Sequence, residues 1–480
     1  MIAAIVLSTL IGATGNRPPV HLREMASWPQ ADVRTLAAGV EKALSAPQLR
    51  GAHAGIAIVD PASGEVAYQR DLDGAFIPAS SLKVLLGAAG LEILGPQYRA
   101  QTDVFAHGGI APGLLIGDLY LRGGGDPLLL DKDLSAAADA VVHAGINRIS
   151  GRVYYDSSRF NGRQYANGWP IEDLPRFFEA PISALSLDEN VLPMYLAPST
   201  LGERARITPL VAQTDVSVVN ALLTVAAGAN EQFDCARDLG TNVVRVVGSI
   251  RENNPGARLG CSVVDGAHYA ATAFAALLQQ RGVQFSGGVN VRAVPTDSTL
   301  LWRHDSIPYG DLLAKILQPS DNFAADVVLK QLAVQQGRPG GFAEGVSALN
   351  AFAADVGVDP LSMALVDGSG LSPDNRISPR ALATILAFEA GSPMFNLFRN
   401  ALPVAGASGT LANRFLASPA RGNVFAKPGT LPHVSTLAGY ARTRHHGLMV
   451  FVVMFNDYMR TDTRPLLNAE EQIAEALVTL

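Results

Sequence analysis

At 480 residues the chain is too long for one hydrophobic core and divides into two or three domains. With 48% hydrophobic and 17% charged residues it has the composition of an ordered globular protein, not of a disordered one. A net charge of −6 leaves no basic footprint for a nucleic-acid partner, and no stretch is long and apolar enough to span a bilayer comfortably.

The chain opens on an apolar run, Ile2 to Gly12, followed by the small residues Ala13, Thr14 and Gly15. This has the length of a secretory h-region and its cleavage end, although no Lys or Arg precedes it. Residues 1–29 are therefore expected to be a signal or anchor remnant plus linker, which puts the protein outside the cytoplasm, exported or anchored at its N-terminus. The alternative is a buried N-terminal strand or helix.

Ala31 to Leu49 carries helical periodicity through Val33, Leu36, Val40 and Leu44. Ala54 to Asp60 and Glu65 to Gln69 read as strands joined by the turn Pro61-Ala62-Ser63-Gly64. Next comes Ile77-Pro78-Ala79-Ser80-Ser81-Leu82-Lys83-Val84-Leu85-Leu86, a proline-ended approach followed at once by an apolar helix. Thr102 to Phe105 and Leu114 to Leu121 are predicted strands. The glycine run Gly123-Gly124-Gly125-Asp126-Pro127 is a tight turn, since it lacks the spacing of a phosphate loop. A short helix at Ala136 to His143 and a strand at Arg152 to Tyr155 follow. From Pro181 to about Val264 short strands dominate, among them Val216 to Thr224 and Val243 to Ser249. Helices return at His268 to Arg281, Ile307 to Leu317, Phe323 to Val334, Gly341 to Val356 and Pro379 to Ala390. The chain closes on strands at Val424 to Lys427, Ser435 to Arg442 and Leu448 to Asn456, and on a helix at Ala469 to Leu480. Strands at both ends with helices between them predict an α/β sandwich whose termini meet in one sheet, interrupted by a β-rich insertion.

Three short motifs carry chemistry. In the first, Lys83 lies one helical turn after Ser80, which brings its amine over the serine hydroxyl. A serine needs an adjacent base to act as a nucleophile, and a lysine desolvated by apolar neighbours can lose its proton and serve. The Ser80 amide, at a helix N-terminus, can face a developing oxyanion. Most Ser-x-x-Lys quartets are a surface serine and a solvated lysine, yet of the lysines here (Lys42, Lys83, Lys132, Lys315, Lys330, Lys427) only Lys83 has a serine at that spacing. The second motif is Ser320-Asp321-Asn322, a polar break between apolar helices. Alone it reads as a helix N-cap; in a cleft, Ser320 could relay a proton and the Asn322 amide could hold a substrate carbonyl. The third is Lys427-Pro428-Gly429-Thr430, on a strand. Lys427 offers a positive charge to a carboxylate, Gly429 room for a ligand backbone, and the Thr430 amide a second oxyanion donor beside that of Ser80. Taken alone it is a strand end. Cys235 and Cys261 are compatible with one disulfide, worth roughly 3 kcal/mol, and equally with two separate buried thiols. They form no metal site, and His445-His446, adjacent on a strand, cannot present both rings on one face. No serine stands in a G-x-S-x-G elbow, which disfavours a Ser-His-Asp hydrolase.

The order S-x-x-K, S-D-N, K-x-G resembles the serine D-alanyl-D-alanine peptidases of the class C (type-4) low-molecular-mass penicillin-binding proteins. The likeness runs from about residue 30 to the C-terminus. It includes Gly117-Asp118-Leu119, Ala180-Pro181-Ile182-Ser183-Ala184-Leu185, Asp367-Gly368-Ser369-Gly370-Leu371-Ser372 and Leu437-Ala438-Gly439-Tyr440. It implies an α/β (α+β) transpeptidase fold of the penicillin-binding/β-lactamase type with a large β-rich insertion. The parts would be residues 30–100 and 267–480 for the transpeptidase-like domain and 101–266 for the inserted segment. It also implies a serine D-Ala-D-Ala carboxypeptidase acting on peptidoglycan stem peptides, with their cross-links as a further substrate, through an acyl-enzyme on Ser80, and acylation by β-lactams. No cofactor or metal is implied. Catalysis would fall to Ser80, Lys83, Ser320, Asn322 and Lys427. Oxyanion and substrate contacts would fall to Ser80, Asn322, Gly429 and Thr430. The span from Ser80 to Ser320 exceeds what compact β-lactamases use, and no E-x-x-L-N motif follows Asn322. Pro428 stands where the family has threonine. That substitution removes a hydroxyl and an amide donor, and is expected to lower turnover and carboxylate selectivity. Two rival readings are a β-lactamase or esterase on the same fold, and a wall-binding scaffold with an impaired site.

Overall fold

The computed structural model describes residues 17–211 and 214–480. The apolar run Ile2 to Gly12 lies outside the described residues.

The chain starts with a short strand β1 (Arg23–Glu24), helix α1 (Gln30–Leu44) and the hairpin β2 (His53–Asp60) and β3 (Glu65–Arg70). A 3-10 turn, Ala79–Leu82, leads into α2 (Lys83–Ile93). The β-rich segment follows: β4 (Gln101–Ala111), β5 (Gly113–Arg122), α3 (Asp131–His143), β6 (Ile146–Ile149), β7 (Val153–Asp156), β8 (Val191–Ala197), β9 (Arg206–Pro209), β10 (Ser217–Val225), β11 (Gln232–Arg237), β12 (Val243–Arg251) and β13 (Ala257–Ser262). Then come α4 (Gly266–Gln280), β14 (Asn290–Val291), β15 (Thr299–Asp305), α5 (Tyr309–Leu317), α6 (Asn322–Gln335), α7 (Phe342–Asp355) and the two-residue strands β16 (Met363–Ala364) and β17 (Arg376–Ile377). Helices α8 (Pro379–Ala390) and α9 (Phe395–Ala401), strands β18 (Val424–Leu431), β19 (Val434–Arg442) and β20 (Leu448–Asn456), and α10 (Arg464–Val478) complete it.

The two ends of the chain meet in one sheet of order β1-β3-β2-β20-β19-β18. Its middle strands read as nearly continuous apolar runs because both faces are covered. Alternation then sorts their side chains. Ile56, Ile58, Met449, Phe451, Val453 and Phe455 face α1 and α10. Ala57, Val59, Val450, Val452 and Met454 face α2 and the helices that follow it. This sandwich is the mixed α/β arrangement expected from the sequence, and β18 is one of its two edge strands, bonded on its outer side to the backbone of residues 403–405. No helix among the described residues is long and apolar enough to cross a membrane.

The β-rich segment forms a second sheet, β14-β7-β5-β4-β15, and two three-stranded sheets, β10-β12-β11 and β13-β8-β9. Its packing reaches past residue 266. Tyr269, Phe274, Leu277 and Leu278 of α4 share a core with β4 to β8, and β15 returns antiparallel to β4 with Asp305 opposite Gln101. The apolar stripe of α4 is visible in its sequence, but the stripe does not say which sheet it covers. Cys235 of β11 is joined to Cys261 of β13, so the disulfide alternative is the one realised. It ties the two small sheets together across 26 residues, a closure worth about 3.5 kcal/mol in the chain-entropy account.

Candidate active site

The nucleophile position is built by a strained turn. Ala79, just before Ser80, has φ of 47°, a left-handed conformation that costs a residue with a β-carbon of order 1 kcal/mol or more. The turn is clamped from two sides. Pro78 O accepts from the Ser81 hydroxyl at 2.7 Å and from the Thr436 hydroxyl of β19 at 2.8 Å. On the other side Gly370 packs against Ala79; a β-carbon there would lie 1.9 Å from Ala79 O. The chain then runs straight into α2, whose first residue is Lys83.

Lys83 is 0% exposed. Its Nζ lies 3.0 Å from Ser80 Oγ, 2.7 Å from Asn322 Oδ1 and 2.6 Å from Ser369 O. The last two are carbonyl oxygens and can only accept. An amine that keeps two N–H bonds on them has its remaining position, a third N–H or a lone pair, on the serine hydroxyl. The geometry therefore aims the amine at Ser80. Burial lowers the Lys83 pKa to about 8, against an opposing pull from Asp326, Asp367 and Asp321. A lysine so placed gives up its proton near neutrality.

Asn322 opens α6. The helix cap is Asp321, whose carboxylate accepts the Ala324 N–H at 2.9 Å, so one triplet serves as both cap and site. The Asn322 Nδ2 donates to Phe178 O at 3.3 Å, which links the helix to the segment between the β-rich sheets. Ser320 sits at the break between α5 and α6 with φ of 69° and is part-exposed.

Lys427, on the edge strand β18, is also 0% exposed and donates to Pro428 O at 2.7 Å. Burial, and then the charge of Lys83, push its pKa well below that of an ordinary lysine. The charge of Lys83 acting on a second buried lysine favours the arrival of an anion beside them.

The register of β18 settles what Pro428 costs the sheet. The Ala426 N–H points away from β19, donating to Pro403 O at 3.0 Å. By the two-residue period of a strand, positions 428 and 430 point the same way. Pro428 thus removes no bond to β19, and the Thr430 N–H is directed off the sheet. Gly429 lets this backbone approach the nucleophile: a β-carbon there would stand 2.8 Å from Ser80 N, 2.9 Å from Pro78 O and 2.5 Å from Thr436 Oγ1.

The structure brings Ser80, Lys83 and Asn322 into direct contact and sets Gly429 against the Ser80 amide. Ser320 and Lys427 enter through their neighbours in the chain. Sequence reasoning missed the acceptor role of Ser369, which uses a main-chain carbonyl and leaves no trace in residue type. It also missed Asp326, four residues after Asn322, although a carboxylate in the apolar run of α6 was a signal in plain view.

Comparison with known proteins gives the following. A sequence profile of the D-Ala-D-Ala carboxypeptidase 3 (S13) family matches residues 36–480. The chain is 33% identical over 417 residues to a D-alanyl-D-alanine carboxypeptidase of Actinomadura sp. (strain R39), covering 84% of this chain and 77% of that one. It superposes on the crystal structure of penicillin binding protein 4 (dacB) from Haemophilus influenzae with a TM-score of 0.81 at 28% identity, covering 92% of this chain and 99% of that one. The same protein complexed with a β-lactam matches with a TM-score of 0.76 at 26% identity, covering 93% and 99%.

Proposed function

The chain belongs to the D-Ala-D-Ala carboxypeptidase 3 (S13) family, a family of serine peptidases, and from that premise we propose how its own residues divide the work. Ser80 Oγ attacks the carbonyl of the terminal D-Ala-D-Ala bond in a peptidoglycan stem peptide while Lys83 Nζ takes its proton. The amides of Ser80 and Thr430 hold the oxyanion. Ser320 returns a proton to the departing D-alanine. Lys427 faces the substrate carboxylate, and the Asn322 amide, already holding Lys83, borders the acyl chain. Water then releases the acyl-enzyme. A β-lactam enters the same sequence and leaves slowly. Cross-link cleavage uses the same steps on a longer leaving group. Residues 30–100, with the chain from about Ser306 onward, form the catalytic unit, and the β-rich segment is inserted between them. The site of action is outside the cytoplasm.

The observation that carries this reading is the placement of Lys83 Nζ among Ser80 Oγ, Asn322 Oδ1 and Ser369 O. Its test is intact-protein mass spectrometry after exposure to benzylpenicillin. The wild type should gain the mass of one antibiotic molecule and Ser80→Ala should gain none. An adduct that survives in Ser80→Ala would sink the assignment. No adduct with the antibiotic consumed would mark a β-lactamase, and no adduct with it intact would mark a wall-binding chain.

Pro428→Thr is expected to leave folding stability within about 0.5 kcal/mol, because the proline spares every bond to β19. It should raise kcat/KM for a peptide with a free C-terminal carboxylate over the same peptide amidated. Equal gains on both would show that position 428 does not read the carboxylate.

A further inference from the structure

Helix α6 sets Asn322, Asp326 and Lys330 one turn apart on a single face. Asn322 Oδ1 accepts from Lys83. Asp326 Oδ1 accepts the Gly368 N–H at 2.7 Å. Lys330 Nζ donates to Arg163 O at 2.8 Å and lies 4.5 Å from the centre of the Phe342 ring. Asp326 is 0% exposed and Lys330 1% exposed, so the face carries charge into an interior otherwise filled by Ala325, Val328, Leu329 and Leu332. The only other hydrogen-bond influence on the Asp326 carboxyl is the Ser369 side chain, which pulls its pKa down; Oδ2 makes no bond of good geometry. A carboxyl so weakly engaged in an apolar interior costs stability, and packing gives no reason for it.

The neighbouring charges give a reason. Asp367, on the loop after β16, is already committed: it accepts from Trp169 Nε1, Asn375 Nδ2 and the amides of Gly370 and Ser372. Lys83 of α2 faces Asp326, as does Asp367. Lys330 lies on Asp326's own helix and in turn faces Glu344 of α7. Asp321 and, from β18, Lys427 act on or feel Lys83. Asp326 is therefore the buried carboxyl between two buried lysines, and the Ser369 side chain acts on it as well. Through Gly368 it is also one residue from the Ser369 carbonyl that orients Lys83.

We propose that Asp326 is a positioning residue for acylation, fixing the Ser369 carbonyl against Lys83 and supplying the counter-charge when Lys83 becomes an ammonium. This rests on Ser80 and Lys83 acting as assigned above. In the step, the Ser80 Oγ–H bond breaks and its proton passes to Lys83 Nζ. An Oγ electron pair forms the bond to the acyl carbon, and the carbonyl oxygen takes the displaced pair. Lys83 gains a positive charge while its side chain is fully buried, and Asp326 sits where that charge can be answered. Burial and Asp367 push the Asp326 carboxyl up to about 7, close to the value of Lys83, so the two groups exchange influence in the neutral range.

The test reads the pH dependence of the second-order rate of benzylpenicillin acylation, whose acid limb reports loss of the neutral lysine. Asp326→Asn keeps an acceptor for the Gly368 amide and removes the charge. With a negative neighbour gone the ammonium is less favoured, so the acid limb should move about one unit to lower pH. The plateau should fall about tenfold as the base weakens. Asp326→Glu restores the charge and should return the limb toward that of the wild type. Lys330→Met removes the cation beside Asp326, leaves that carboxyl more readily protonated, and should move the limb to lower pH by less than Asp326→Asn does. A purely structural role would lower the melting temperature and the rate in both variants without moving the limb. If Ser80 is acylated and neither variant moves the limb, the proposal is overturned while the assignment of Ser80 stands. If Asp326→Asn does not fold, an unmoved limb in Lys330→Met overturns it just as well. Absence of any Ser80 adduct in the wild type is a different result and removes the premise.

Discussion

Lys83→Ala should slow acylation by benzylpenicillin about 10³- to 10⁴-fold, followed as the time course of adduct mass. Without a base, attack depends on a serine hydroxyl that holds its proton at neutral pH. The amine is also the donor that meets Asn322 Oδ1 and Ser369 O, so its removal frees the Asn322 side chain as well. Lys83→Arg is the more telling companion. A guanidinium can donate to the same carbonyls but does not deprotonate in a protein. It should preserve the fold and remain as slow as the alanine variant. An arginine variant within tenfold of the wild type would show that Lys83 acts by its charge alone, and the base would then have to be sought at Lys427.

The second large effect is expected at Gly429. An added methyl would stand inside contact distance of two backbone atoms, Ser80 N and Pro78 O, and neither can turn aside as a flexible side chain would. Gly429→Ala must therefore displace β18 from the nucleophile turn. Because the Thr430 amide rides on that strand, the oxyanion donors separate together. A misplacement of about 1 Å costs on the order of 100-fold in rate. The same crowding should cost about 1–3 kcal/mol of stability. The measurements are the adduct time course and the thermal midpoint. A normal acylation rate in a normally folded Gly429→Ala protein would mean that the strand does not contribute to the oxyanion site.

Much of this site was legible in the sequence because its key spacings are local. Three residues of helix carry Lys83 back over Ser80 regardless of what surrounds them. The apolar run of β20 could belong to few things besides a strand covered on both faces. The partners that complete the site are non-local and partly main-chain. Asn322 stands 239 residues from the lysine it holds, and Ser369 acts through an oxygen that every residue has. The orientation of Pro428 depended on strand register, which the residue order alone does not give. The membership of α4 was hidden for a related reason: an apolar stripe fixes a buried face without naming its partner.

The sheet also sets a schedule. Strand β2 lies between β3 and β20, the Ile77 amide donates to Asn456 Oδ1 at 2.8 Å across 379 positions of chain, and the Ser80 turn leans on β18 and β19. Ser80 is made early in synthesis, yet the strands that shape it come almost last. Contacts of such separation close slowly, after the local helices have formed. On the assignment proposed above, a nascent or truncated chain that lacks β18 to β20 carries Ser80 without the strand that holds the second oxyanion amide, and should neither cut nor bind an antibiotic. Activity should thus begin only once β18 to β20 are in place, and its onset is timed by those strands rather than by the serine.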